Sequence, residues 1–264
     1  MYLDYWGIKR FPFDNVADPS FFYLSESHEE ALSRLLYASK MRKGAAMLTG
    51  DIGCGKTLIG KVYMKKLMEG GSTVSLLTNP PLGQVEFLQE ILYQLDVRDL
   101  PDSKTKLLQI LNKKMIQNME QNEETVIIID EAQVLNEETF EEARLLLNFQ
   151  SNDRFLLTLV LIGQSELKVK IRQMKQFDQR IAIRYHLNPF PFLDTTKYIM
   201  FREKKAGFAN NVFTTPAIKK IYEYSEGVPR RINSVCDLCL LIAFTKTRKF
   251  IDSGIIESVI DELE

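Results

Sequence analysis

The chain has few cysteines, no long apolar run and no excess of either charge sign. Its three cysteines are an odd count with no framework spacing, which excludes a disulfide scaffold and fits a reducing compartment. Cys236 and Cys239 form a CxxC, but no second cysteine or histidine pair completes a zinc site. They stand in RINSVCDLCLLIAF, an apolar run at helical spacing, and read as core packing. The 34 basic residues face 35 acidic ones, a net charge of −1, so the global basic field of a dedicated nucleic-acid binder is missing and only a local patch stays open. No apolar run approaches the ~20 residues of a membrane span. The start, MYLDYWGIKRFPFD, has early charges and lacks the apolar stretch of a signal peptide. No integral membrane segment is expected, and the expected address is the cytoplasm. Internal repeats and low-complexity segments are also missing.

What is present suits one large globular domain or two smaller ones: 264 residues, 45% hydrophobic and 26% charged. Residues 1–25 are aromatic-rich and broken by Pro12 and Pro19, and read as an extended arm rather than a helix. SHEEALSRLLYASKMR, residues 27–42, reads as a helix, with acids in its first turn. Strands are predicted at GAAMLTG, STVSLLTNPP, TVIIID and FLLTLVLIGQ. Val126 to Ile129 are four consecutive apolar β-branched residues closed by Asp130, the pattern of a central parallel strand. Helices are predicted between the strands at about 57–67, 84–95, 104–119 and 137–149. That alternation predicts an α/β parallel sheet covered on both faces. From about 191 onward only helical patterns remain, at 194–206, 215–225, 229–245 and 252–262. The expected division is therefore an α/β domain over 1–190, arm included, and a smaller all-α domain over 191–264.

Between the first strand and its helix lies GDIGCGKT. As a bland alternative it is a flexible turn, but Gly50-x-x-x-x-Gly55-Lys56-Thr57 is the P-loop spacing, and a strand before with a helix after is its required context. The glycines, Gly53 among them, let backbone N–H groups of Asp51 to Leu58, including Cys54, turn inward around phosphates. Lys56 brings a point charge, and Thr57 offers a hydroxyl to Mg²⁺. A second feature supports this: VIIIDEAQ ends its strand on Asp130 and Glu131, and in a parallel sheet that end lies beside the P-loop. Asp130 is expected to hold the Mg²⁺ shell and Glu131 to polarise the attacking water. The expected ligands are ATP and Mg²⁺.

Taken in order, YWGIKRFPFDNVADPSFFYLSESHEEAL, GDIGCGKT, LLTNPPL, IIIDEAQVL, LVLIGQSEL, FDQRIAIRYHL and GVPRRIN resemble the AAA+ ATPases of the general secretion pathway protein A (ExeA-like) group, whose relatives include the transposition regulator ATPases of Tn7-like elements. The resemblance covers nearly the whole chain. It implies an AAA+ sheet with a helical lid. It also implies Gln164 as sensor 1, Arg230 as sensor 2 ahead of Arg231, and Asn79 as the residue holding Glu131 in an inactive rotamer. Each has a plainer alternative: a strand cap, a surface charge and the start of a turn before Pro80 and Pro81. An arginine acting on a neighbouring subunit's nucleotide is expected at Arg180, with Arg184 as the other candidate, and an ATP-promoted ring or helical homo-oligomer goes with it. The aromatic arm is expected to reach the adenine, while Phe13, Pro19 and Tyr23 individually, like His28, are expected to be structural.

Three functions fit these features. The first is an ATP-driven assembly factor for a secretion or pilus-like envelope machine, cytoplasmic or peripheral at the inner membrane, with an envelope secretion component as partner. The second is an ATP-dependent regulator of transposition or defence that oligomerises on duplex DNA with a transposase-type partner. The third, a metabolic P-loop kinase, ranks last, because a kinase has no need of the helical lid. Segment 165–184 carries six basic residues (168, 170, 172, 175, 180, 184) against acids at 166 and 178, an excess that could meet phosphates. Glu137, Glu138, Glu141 and Glu142 would repel DNA in the same channel.

Overall fold

The apolar runs of the sequence become strands of one parallel sheet. A computed structural model of the chain describes residues 2–151 and 154–263. Among these, β1 (Ala45–Gly50), β2 (Thr73–Leu77), β3 (Thr125–Ile129), β4 (Leu157–Gly163) and β5 (Ile181–Leu187) lie in the order β2-β3-β4-β1-β5. Every pairing is parallel. Every residue of β1, β3 and β4 is buried, as a sheet covered on both faces requires. β5 is an edge strand and is only partly covered along its middle.

A short helix, α1 (Tyr2–Trp6), lies in the N-terminal arm, and the helices that flank the sheet keep the expected alternation: α2 (Glu26–Lys40), α3 (Lys56–Glu69), α4 (Gln84–Gln94), α5 (Lys104–Glu120), α6 (Glu137–Leu146), α7 (Ser165–Gln173) and α8 (Lys175–Asp178). After the sheet come α9 (Phe192–Ala206), α10 (Thr215–Ser225), α11 (Pro229–Thr245) and α12 (Ser253–Leu263). Local chemistry sets several of their starts. Asn136 caps α6 by accepting from the Thr139 N–H at 2.9 Å, and Pro229 opens α11, where its missing N–H costs nothing.

The chain forms two compact units: Met1–Ser25, Gly53–Gly55 and Asn188–Glu264 in one, Glu26–Ile52 and Lys56–Leu187 in the other. The sheet unit has its core in residues such as Leu77, Phe87, Leu92, Ile127, Phe140 and Leu159. His28 is buried there within α2.

The helical unit has its own core, which includes Trp6, Phe13, Phe190, Tyr198, Cys236, Cys239 and Ile256. The arm belongs with this unit because its aromatics are buried in that core. Phe13 meets Phe213 edge-on at 5.7 Å, and Tyr23 meets Phe190 at the same separation. Arg202 of α9 fixes the arm's backbone by donating to the Pro12 carbonyl and, at 2.8 Å, to that of Asp14. The arm is not wholly extended: Tyr2–Trp6 is a short helix and Pro19–Phe21 a 3₁₀ turn capped by Asp18. The prolines restrain the backbone only from Phe11 onward, so burial of Trp6 is free to select a helical turn before them. Both helical cysteines are fully buried, and burial pushes the Cys239 thiol up to about 12 and the Cys236 thiol well above its usual value. Thiols so protonated pack as small apolar groups.

Candidate nucleotide site

The loop between β1 and α3 has two glycines in the left-handed region, Gly53 at φ 86° and Gly55 at φ 92°, which allows successive N–H groups to point the same way. Gly50 serves a different need. A Cβ there would lie 2.6 Å from the Leu187 carbonyl, so its bareness lets β1 sit close to β5. Lys56, the first residue of α3, is buried, and its Nζ donates to the Asp51 carbonyl at 2.8 Å, closing the loop around the ammonium. Cys54 is buried in the loop, and Leu58 is partly covered in the first turn of α3.

The register brings the other elements to the same end of the sheet. Leu77 pairs with Ile129, Ile129 with Leu161, and Thr49 with Gly163. Asp130, Gln164 and the loop therefore succeed neighbouring strand ends. Asp130 is buried; its N–H donates to the Leu77 carbonyl at 2.8 Å, and its carboxylate accepts from the Glu131 N–H at 2.9 Å. Burial pushes the Asp130 carboxyl above its ordinary value. Hydrogen bonds from Thr57 and the Glu131 N–H oppose this, the Glu131 charge adds to it, and Lys56 offsets part of it. A buried carboxylate joined to a hydroxyl is a hard, oxygen-only donor pair. It fits Mg²⁺, which takes few protein ligands and completes its shell with water and phosphate oxygens.

Glu131 sits in the left-handed region at φ 50°, a conformation that costs a non-glycine residue roughly 1–3 kcal/mol. Its Oε2 accepts from Gln133 Nε2 at 2.5 Å and from Gln164 Nε2 at 3.3 Å. Gln133 Oε1 in turn accepts from the Gln164 N–H at 3.1 Å. Glu131, expected to polarise the water, and Gln164, expected as sensor 1, thus meet directly, and Gln133, given no role from sequence, ties them together. Asn79 lies exposed two residues beyond the end of β2, and the Glu131 bonds go to Gln133 and Gln164 instead.

The arginine candidates differ in their engagements. Arg184 donates to the Asp178 carboxylate at 2.8 Å and to its carbonyl at 2.6 Å, and Arg231 pairs with Glu226 at 3.3 Å. Arg180, in the turn between α8 and β5, and Arg230, second residue of α11, have no ion pair among the described residues. Within the helical unit, the Arg230 N–H donates to the Gly53 carbonyl at 3.2 Å.

A glycine loop after a strand, its lysine and threonine, and an Asp-Glu pair on a nearby strand end define a P-loop nucleotide-binding protein. The chain belongs to the AAA domain family, whose model matches residues 39–171, a span holding all of these features, and it is an AAA+ ATPase. It is 34% identical over 249 residues to general secretion pathway protein A of Aeromonas hydrophila, covering 93% of this chain and 45% of that protein. The chain thus spans about half the length of that relative. Among solved structures it is similar to ORC2 of Aeropyrum pernix in ADPNP-ADP complexes, with TM-score 0.72 and 19% identity over 96% of this chain and 72% of the other. It is also similar to Aeropyrum pernix ORC1 in complex with DNA, with TM-score 0.67 and 17% identity over 91% and 66%. At these identities the structural likeness speaks for the fold.

Proposed function

We propose that this chain hydrolyses ATP with Mg²⁺ as a subunit of an ATP-promoted homo-oligomer, and so drives or regulates assembly of a secretion or pilus-like envelope machine from the cytoplasmic side. The observation that carries the reading is the convergence on neighbouring strand ends of Lys56, the Thr57–Asp130 pair and the Glu131–Gln164 pair. In this reading Gly50 to Leu58 cradle the phosphates, and Thr57 and Asp130 hold Mg²⁺. A bound ion would supply charge neutralisation to the phosphate chain. Glu131 takes a proton from the attacking water, Gln164 orients that water or the γ-phosphate, and Arg230 acts as sensor 2. Asn79 holds Glu131 in an inactive rotamer, distinct from the one that Gln133 and Gln164 hold here, until a ligand releases it, and Arg180 serves a neighbour's site. The identity with general secretion pathway protein A across 93% of the chain supports the secretion assignment.

Duplex DNA is the second reading, favoured by the basic excess of 165–184. Two of those six cations are already committed: Lys170 to the Gln133 and Leu135 carbonyls, and Arg184 to Asp178. That leaves Lys168, Arg172, Lys175 and Arg180 for phosphates, which keeps this reading second. Duplex binding measured across a salt series with ATP, with ADP and without nucleotide separates the two. The assembly reading expects weak binding that ATP does not strengthen. ATP-dependent binding with a steep salt slope would favour the DNA regulator.

A further inference from the structure

The side-chain amide of Gln133 bonds at once to the carboxylate of Glu131 and to the backbone of Gln164, the two residues proposed to handle the attacking water. Its Nε2 donates to Glu131 Oε2 at 2.5 Å, and its Oε1 accepts from the Gln164 N–H at 3.1 Å. Three further features keep that amide in place. Gly163 leaves it room, since a Cβ at that position would lie 2.6 Å from Gln133 Oε1. Gln133 belongs to the 3₁₀ turn Ala132–Val134, which begins directly after the left-handed Glu131, so the side chains two residues apart face one another. Lys170, from the helix that Gln164 opens, returns to the same turn and donates to the Gln133 carbonyl at 2.6 Å and the Leu135 carbonyl at 3.0 Å. The turn after β3 and the start of α7 are thereby closed into one hydrogen-bonded ring around the Glu131 carboxylate.

We infer that Gln133 is a positioning residue for hydrolysis: it holds Oε2 of Glu131, leaves Oε1 for the water, and fixes Gln164 in register with it. This rests on Glu131 being the base. A carboxylate on a strained, half-exposed turn has several rotamers, and an amide that donates to one oxygen selects among them before ATP arrives. Gln133 itself touches neither phosphate nor metal in this scheme, so its loss acts on the chemical step and leaves nucleotide binding intact.

The test compares steady-state ATP turnover and ATP affinity in wild type, Gln133→Met, Gln133→Glu, Glu131→Gln and the double variant Glu131→Gln/Gln133→Met. Methionine keeps the bulk and loses both bonds; glutamate keeps the acceptor for Gln164 and loses the donor to Glu131. Both single Gln133 variants are expected to lose kcat roughly ten- to a hundred-fold, with KM and ATP affinity within about twofold of wild type. Unchanged affinity also reports that the fold is intact. The double variant is expected to fall within a few-fold of Glu131→Gln alone, because Gln133 acts chiefly through that carboxylate and only secondarily through Gln164. Wild-type kcat in the Gln133 variants beside an inactive Glu131→Gln would overturn the positioning role while leaving the base assignment standing. A loss confined to KM, or a further tenfold loss in the double variant, would overturn it as well. Wild-type turnover by Glu131→Gln would remove the base assignment and this inference with it.

Discussion

Lys56 carries the positive charge of the nucleotide loop, buried and folded back onto the Asp51 carbonyl at 2.8 Å. A γ-phosphate offers it a charged acceptor in place of a neutral one, and a charge-assisted hydrogen bond contributes about 1.5–3 kcal/mol. Lys56→Ala is therefore expected to weaken ATP binding roughly ten- to a hundred-fold or more, read by titration calorimetry, with the fold retained. Unchanged affinity would take Lys56 out of the phosphate site. That Lys56, Thr57, Asp130 and Glu131 follow neighbouring strand ends was legible in the sequence, because loop spacing and strand ends are patterns that a short stretch carries whole. Gln133 was not. Its role depends on the left-handed backbone of Glu131, on the 3₁₀ turn after it, and on the bareness of Gly163 some thirty positions later. No periodicity encodes that conjunction. The Gly50 case is similar, since a motif glycine also answers to the close backbone of β5.

Elements were more legible than their groupings. The β-branched run Val126–Ile129 became the buried strand that its pattern predicts, and the helical patterns after 191 became α9 to α12. The short α1 escaped because five residues carry too little periodicity, and the arm's grouping with the helical unit depends on Arg202 reaching backbone 188 and more positions away. Within that unit, Glu203 of α9 sets a pH dependence. The residue is buried, Oε1 accepts from the Val212 N–H at 2.8 Å, and Oε2 has no side-chain or backbone partner within hydrogen-bond distance among the described residues. Burial raises its carboxyl from 4.5 to about 7, against the pull of backbone hydrogen bonds from Val212 and Phe213. A folded-state value above the unfolded one means that the folded form holds its proton more tightly. The stability this group gives is fully present below the unfolded value and is lost as pH rises through about 7. The full span is roughly 3 kcal/mol. Glu203→Gln is expected to remove that dependence. In urea titrations the difference in stability, variant minus wild type, should become more positive between pH 5.5 and 8.5. A constant difference would mean that Glu203 is not protonated in the folded form at low pH.

In the whole molecule, the proposed ATP turnover is completed between copies of the chain. One P-loop domain brings limited positive charge to the γ-phosphate in the transition state, and an arginine from a neighbour supplies more. Arg180 is the better placed candidate: it stands in the turn ahead of β5 without an ion pair among the described residues, whereas Arg184 is held by Asp178. Lys56→Ala protein has a disabled loop and an intact Arg180, while Arg180→Ala protein has the reverse, so each alone is expected to be nearly inactive. The decisive measurement is turnover by an equimolar mixture, under conditions where mixed oligomers are seen by native mass spectrometry. Activity well above the sum of the separate proteins is the predicted result. No recovery although mixed oligomers form would contradict it.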